Sequence, residues 1–301
     1  FDTFTRPDLF LHGFSAGAPA DALAVQGQTW GFPPLHPRAG RADGYAHLRA
    51  VLRHMLSVAG VLRIDHVMGL YRMFCVPSGR PGTDGAYIRY PEHEMFAIVM
   101  IEAARAGAVV VGEDLGTVPP AVRQAMKESG ILGMHVQQYA LGGPPGNEIH
   151  PASPHVLASL NTHDAPTFAS YWHADDVALR LRLKHTTKSP AAAETAGRAA
   201  CNRTVASALR ALKLPTGTAQ ATALSLMRLQ ARGPAPLTQV NLEDLWAERR
   251  PQNVPGTSTE YPNWRRRAAK KLPALLKDPK AAAALALLQR ERNATTGKAR
   301  P

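Results

Sequence analysis

The sequence predicts an α/β fold of the barrel kind, and three observations carry that reading. Short apolar runs of β character alternate with stretches of helical periodicity through the first 245 residues, which is the habit of consecutive βα units with parallel strands. Polar residues recur at the C-terminal end of successive runs, where barrels and open α/β sheets place their sites. The length, 301 residues, suits one large domain or two smaller ones.

The elements follow in order. The first 40 residues carry several Gly and Pro and little periodicity, so they read as one long loop, with Gly13 to Pro34 as a segment able to cover a site. A helical pattern from Gly44 to Leu56 precedes the first apolar run, Val58 to Asp65. A second pattern, Met95 to Ala106, precedes the run Ala108 to Asp114. The pair Pro119 and Pro120 suits the start of a helix reaching Lys127. Met134 to Ala140 is a less apolar candidate strand, and His155 to Asp164 ends a further run in polar residues. Residues 1–175 are therefore expected to form a catalytic barrel portion with an N-terminal loop. Residues 176–232, rich in Ala, Leu, Arg and Lys at helical spacing, read as a helical insertion. Pro236 to Leu242 leads into Glu243, Asp244 and a polar loop, a return to the barrel over residues 233–263. A basic helical tail interrupted by Pro273 and Pro279 fills 264–301.

Composition narrows the classes. Hydrophobic residues make up 45% and charged residues 19%, close to the globular average, which excludes wholesale disorder and fibrous classes. No run of 18 apolar residues occurs, so no membrane span is expected. Two cysteines, Cys75 and Cys201, fall short of a disulfide scaffold, and a cytoplasmic location is expected. The net charge of +12 is mostly local: from Trp264 to Pro301 eleven basic residues face two acidic ones, leaving only +3 for the rest. A solvated basic tail explains that better than a nucleic-acid surface. A nonenzymatic polyanion-binding module remains the rival from another class, although the tail carries no nucleic-acid motif.

Asp65, Glu113 and Asp164 stand out because each ends a β-type run. A lone strand-terminal Asp is ordinarily a cap for the following helix. Three of them on strands of one barrel converge on one cavity. Converging acids suit glycosyl transfer, which needs one carboxylate as nucleophile and another as proton donor. Arg63, two residues before Asp65, shares its strand face and is placed to hold that carboxylate ionised. His66 and His163 flank the acids, and His163, adjoining Asp164, suits a hydroxyl ligand. Neither HExxH nor CxxC spacing is present, so no metal and no cofactor are expected.

Read together, Arg63-Ile64-Asp65-His66, Gly112-Glu113-Asp114-Leu115-Gly116 and Asn161-Thr162-His163-Asp164 closely resemble the signatures of the 4-α-glucanotransferases, the amylomaltase or disproportionating-enzyme family related to the α-amylases. Gly27-Gln28-Thr29-Trp30-Gly31, Asn253-Val254-Pro255-Gly256-Thr257 and Pro262-Asn263-Trp264-Arg265-Arg266 agree with it. The resemblance runs over most of residues 1–270. It implies a (β/α)8 TIM-type barrel, here about strands 4 to 8 with a helical insertion, acting on α-1,4-glucan donors and acceptors. It implies Asp65 as nucleophile, Glu113 as acid/base and Asp164 as transition-state stabiliser. Arg63, His66 and His163 are similar to residues lining the donor glucose subsite. Trp30 resembles an acceptor-side platform; outside its motif it would read as a core tryptophan. Gln28 and Asn253 are amides able to meet hydroxyls. Asp114 either binds sugar or orients a loop, and Trp264 is expected to pack the terminal helix.

An α-glucan hydrolase with the same acids is the near alternative, because water and sugar compete for one intermediate. The resemblance also implies three earlier βα units, whereas only 64 residues precede Asp65. The chain therefore reads as an N-terminally truncated fragment, and an inactive one when isolated. Donor and acceptor length and oligomeric state are left open.

Overall fold

A computed structural model describes residues 1–20, 26–141 and 149–297. The chain divides into two compact units, Phe1–Met134 and His135–Pro301.

In the first unit a short helix α1 (Asp2–Thr5) precedes strands β1 (Phe14–Ala18) and β2 (Gln28–Thr29). Helices α2 (Pro37–Ala42) and α3 (Ala46–Leu56) lead to β3 (Val61–Ile64). Then come β4 (Arg72–Pro77), β5 (Ala86–Arg89), α4 (Glu92–Ala106), β6 (Val109–Gly112) and α5 (Pro120–Ser129). β3 and β6 pair in parallel, Ile64 opposite Gly112, joined by a crossover that contains α4. Leu132 bridges in parallel to Val111. The core gathers Leu52 and Leu56 of α3, Met95 and Val99 of α4, and Val122 and Met126 of α5 around Val110. Each helix turns one apolar face inward, as its 3.6-residue spacing dictates.

The remaining strands form an antiparallel sheet in the order β2-β1-β4-β5, with Ala16 opposite Cys75 and Phe74 opposite Tyr87. This corrects the reading of the first 40 residues as one loop. The strand Phe14–Ala18 is built from small residues around Gly17 and shows no apolar alternation. Its pairing comes from a segment about 60 residues away, which local periodicity does not register. The proposed covering segment, Gly13 to Pro34, is thus partly sheet; residues 21–25 of it lie outside the described residues, as do Lys298 and Arg300 of the basic tail.

The second unit holds a sheet ordered β7 (Gly133–Val136), β8 (Val156–Ser159), β9 (Leu237–Gln239), β7 starting just before the unit boundary. β8 and β9 are parallel, Ser159 opposite Gln239. The helices are α6 (Gln137–Ala140), α7 (Phe168–His173), α8 (Asp175–Arg182), α9 (Lys188–Ala211), α10 (Ala219–Arg232), α11 (Leu272–Leu276) and α12 (Pro279–Thr296). Phe168, Leu209, Leu226 and Leu288 join α7, α9, α10 and α12 in one core. Arg228 and Arg232 of α10 clasp Glu291 of α12, each at 2.6 Å. No described helix is long and apolar enough to cross a membrane.

Gly112, at the end of β6, is tightly packed. A Cβ there would meet Val67 Cγ2 at 2.6 Å and Met126 Cε at 2.9 Å, inside van der Waals contact. Gly112→Ala is therefore expected to destabilise the fold by about 1–3 kcal/mol, read as a lower midpoint in urea unfolding.

Candidate active site

The parallel register sets the site of the first unit. Because Ile64 and Gly112 are paired, the next residues, Asp65 and Glu113, leave neighbouring strand ends side by side. The backbone then interlocks: Glu113 N donates to Ile64 O at 2.9 Å and Val67 N to Glu113 O at 3.1 Å. Between them His66 takes the left-handed conformation, φ 47° and ψ 58°, which few non-glycine residues adopt. That twist aims the His66 amide at Glu113 Oε2, 3.0 Å away. The Leu115 amide donates to the other oxygen, Oε1, at 2.7 Å. Two backbone donors thus fix the plane of the Glu113 carboxylate and leave a lone pair on each oxygen for proton exchange.

Asp65 projects into solvent with 76% of its side chain exposed, and Arg63 Nη2 pairs with its Oδ1 at 2.6 Å. Trp30 stands edge-on to the His66 ring, centroids 5.0 Å apart, and its indole N–H donates to Gln28 Oε1 at 3.1 Å. Phe32 stacks on the same indole at 6.2 Å. Arg63, Asp65, His66, Glu113, Trp30 and Gln28 are therefore brought together. Arg63 Nε and His66 Nε2 are buried polar atoms with no hydrogen-bond partner, and such atoms carry a desolvation cost until a ligand or water meets them. Burial also holds the His66 ring below the ordinary histidine pKa, against the opposing pull of Glu113 and Asp65. Asp114 faces elsewhere: its Oδ1 accepts from Met134 N at 2.8 Å and its Oδ2 from Arg123 at 3.3 Å.

In the second unit, His163 and Asp164 lie on the loop from β8 to α7. His163 Nε2 is 3.3 Å from Asp164 Oδ2, and Asn253 Nδ2 donates to Asp164 Oδ1 at 2.7 Å. Trp264, expected to pack the terminal helix, is instead 59% exposed, its ring 5.9 Å from that of His163. Sequence reasoning noted Asp244 without giving it a role. It lies in a 3-10 turn, Leu242–Trp246, is 3% exposed, and accepts from Asn161 Nδ2 and Phe168 N, both at 3.0 Å. Burial pushes its carboxyl up to about 6, with nearby Glu243 adding in the same direction. No local signal marks it, because its partners Asn161 and Phe168 lie 83 and 76 positions away along the chain. Among the described residues no cluster of His, Cys, Asp and Glu suits a metal ion.

The 4-alpha-glucanotransferase family model matches residues 1–272. The chain is 40% identical over 273 residues to a 4-alpha-glucanotransferase of Mycobacterium tuberculosis, covering 88% of this chain and 38% of the relative. It is 34% identical over 281 residues to that of Haemophilus influenzae, covering 90% and 40%. Among solved structures it resembles the amylomaltase of Corynebacterium glutamicum, with a TM-score of 0.86, 30% identity, and coverage of 97% of this chain and 44% of that one. The amylomaltase of Streptococcus agalactiae, solved in complex with acarbose, shares the fold at 18% identity and a TM-score of 0.73. The chain thus spans about two-fifths of the length of the curated relatives it matches. Its fold is α/β and corresponds to part of a TIM-type barrel.

Two titrations test this geometry. His66 is expected to stay neutral at pH 7 and to protonate below the usual histidine range; the stability tied to its neutral form persists above that range and is lost as pH falls through the folded value, observable by NMR of the ring protons. Asp244 has the opposite sign: its folded pKa of about 6 exceeds the 3.8 of an ordinary aspartate, so the stability it contributes is present below about pH 4 and is lost, by about 3 kcal/mol, as pH rises to 6. Asp244→Asn is expected to flatten that slope in denaturation measured across the interval.

Proposed function

This chain belongs to the 4-alpha-glucanotransferase family, and from that premise we propose that it carries the catalytic acids of an enzyme transferring α-1,4-glucan segments between maltodextrins. The reaction is a retaining double displacement. An Asp65 oxygen attacks the anomeric carbon while Glu113 protonates the departing glycosidic oxygen, leaving a glucosyl ester on Asp65. The 4-hydroxyl of a second glucan then attacks that carbon, Glu113 takes its proton, and Asp65 leaves as carboxylate. Asp164 grips ring hydroxyls as positive charge develops on the sugar.

The observation that supports this most is the pairing of Ile64 with Gly112, which sets an exposed carboxylate paired with Arg63 beside one oriented by two amides. The unpartnered Arg63 Nε and His66 Nε2 suit donor-sugar hydroxyls, and His163 takes the same part beside Asp164. Trp30 offers an aromatic face to the apolar side of an acceptor ring, with Gln28 beside it. Asn253 orients Asp164. Asp114, occupied by Met134 and Arg123, orients the loop after β6 rather than binding sugar. The segment 176–232 serves as a helical subdomain, and the basic tail as a solvated end with no nucleic-acid role. A cytoplasmic location fits an enzyme acting on stored glucan.

Because the chain spans about two-fifths of its relatives' length, incubation with maltotriose of the chain fused to the first three βα units of a 4-alpha-glucanotransferase relative tests the reading. Longer oligomers together with glucose are expected, with little net gain of reducing ends; a net gain would favour the hydrolase. Glu113→Gln is expected to lower transfer about 10²–10⁴-fold, and Asp65→Asn to abolish formation of the glucosyl intermediate, with circular dichroism unchanged in both. Full activity in either variant would remove these residues from the mechanism.

A further inference from the structure

Four acidic side chains are buried among the described residues: Glu102, Asp176, Asp244 and Glu248. Three are matched by arginine. Arg53 reaches Glu102 at 2.7 Å, Arg198 reaches Asp176 at 3.2 Å, and Arg266 reaches Glu248 at 3.1 Å. Among the described residues no cation lies within ion-pair distance of Asp244; its carboxylate accepts from neutral amides, Asn161 Nδ2 and Phe168 N. A buried carboxylate without a counter-charge is costly, so its location asks for a reason beyond stability.

The reason lies in what it holds. Asn161 opens the loop that follows β8, and Phe168 is the first residue of α7 after the cap Thr167. Asp244 therefore grips one short loop at both ends, and that loop carries His163 and Asp164. The neighbours reinforce the grip: Asn241 Nδ2 donates to Asn161 Oδ1 and Thr167 Oγ1 to Glu248 O. Within the loop, Asp164 N donates to Thr162 Oγ1 at 3.3 Å. We propose that Asp244 is a positioning residue for the transfer reaction, its carboxylate clamping the His163–Asp164 loop from both sides; the proposal rests on the functional reading above. An ionised carboxylate alone offers acceptors on both oxygens and no donor. An asparagine in its place turns an NH2 toward either Asn161 or Phe168, and one end of the loop comes free. Burial raises its carboxyl pKa to about 6, which still leaves the group ionised at pH 7.

Asp244→Asn tests this, with Glu243→Gln as the adjacent control. Hydrogen exchange followed by mass spectrometry is expected to show amides of residues 160–168 opening at least about tenfold faster in Asp244→Asn, with those of α9 unchanged. In the same fusion, acting on maltotriose at pH 7, kcat is expected to fall about 10- to 100-fold, as for a displaced catalytic group, with little change in KM. Glu243→Gln should alter neither. Unchanged loop exchange in a folded Asp244→Asn overturns the proposal, and so does exchange accelerated equally throughout the second unit, which would mark a merely structural acid. Should Asp244→Asn fail to fold, Asn161→Ala removes the clamp at one end only and must still speed exchange in the loop. If the parent fusion does not act on maltotriose, the functional reading fails, while the exchange comparison still decides what Asp244 holds.

Discussion

The parallel pairing of Val61–Ile64 with Val109–Gly112 is the constraint on which the first unit depends. It is a backbone arrangement, and the side chains of the site inherit their places from it. Ile64 accepts from Glu113 N, Glu113 in turn accepts from Val67 N, and the residue caught between, His66, is forced into a left-handed turn. Such a conformation costs a residue with a Cβ about 1–2 kcal/mol. The return is that an amide, not a mobile side chain, points at the Glu113 carboxylate. Gly112 makes this possible by letting Val67 lie directly against the strand.

Much of this was legible in the sequence. An apolar run ending in a carboxylate marks both strand and tip, so Asp65 and Glu113 could be placed at strand ends without any structure. Helices at Ala46–Leu56, Glu92–Ala106 and Pro120–Ser129 lie within a few residues of where their periodicity put them. The antiparallel sheet was not legible. Phe14–Ala18 has small residues where a strand usually shows β-branched ones, and Arg72–Pro77 follows the first apolar run so closely that the two patterns merge. Their stability comes from one another and from buried Ala16, Phe74 and Val76, a tertiary effect invisible to a local window. Trp264 was misplaced for a similar reason. Its left-handed backbone, φ 60°, ends the local pattern and swings the ring toward His163, which no helical spacing encodes.

Buried charge is used in two different ways. At Glu102 three arginines from α3 and α4 converge on one carboxylate, joining two helices whose apolar faces already pack; hydrogen bonding with Arg53 holds that acid below its ordinary pKa. At Asp244 the same kind of group meets only amides and is held above its ordinary pKa by burial. The first arrangement adds cohesion to a surface already formed. The second joins a turn to a loop with no regular structure of its own, where directional acceptors matter more than net attraction.

Asn253 and Asp164 meet before any ligand arrives, at 2.7 Å. A guest hydroxyl reaching that oxygen therefore enters an exchange of partners, displacing or sharing a bond already made, and the net gain is smaller than the contact alone suggests. An acid kept satisfied at rest neither collapses onto a stray lysine nor holds its guest too long. Occupancy becomes reversible by construction, which suits the proposed release of one chain and capture of the next.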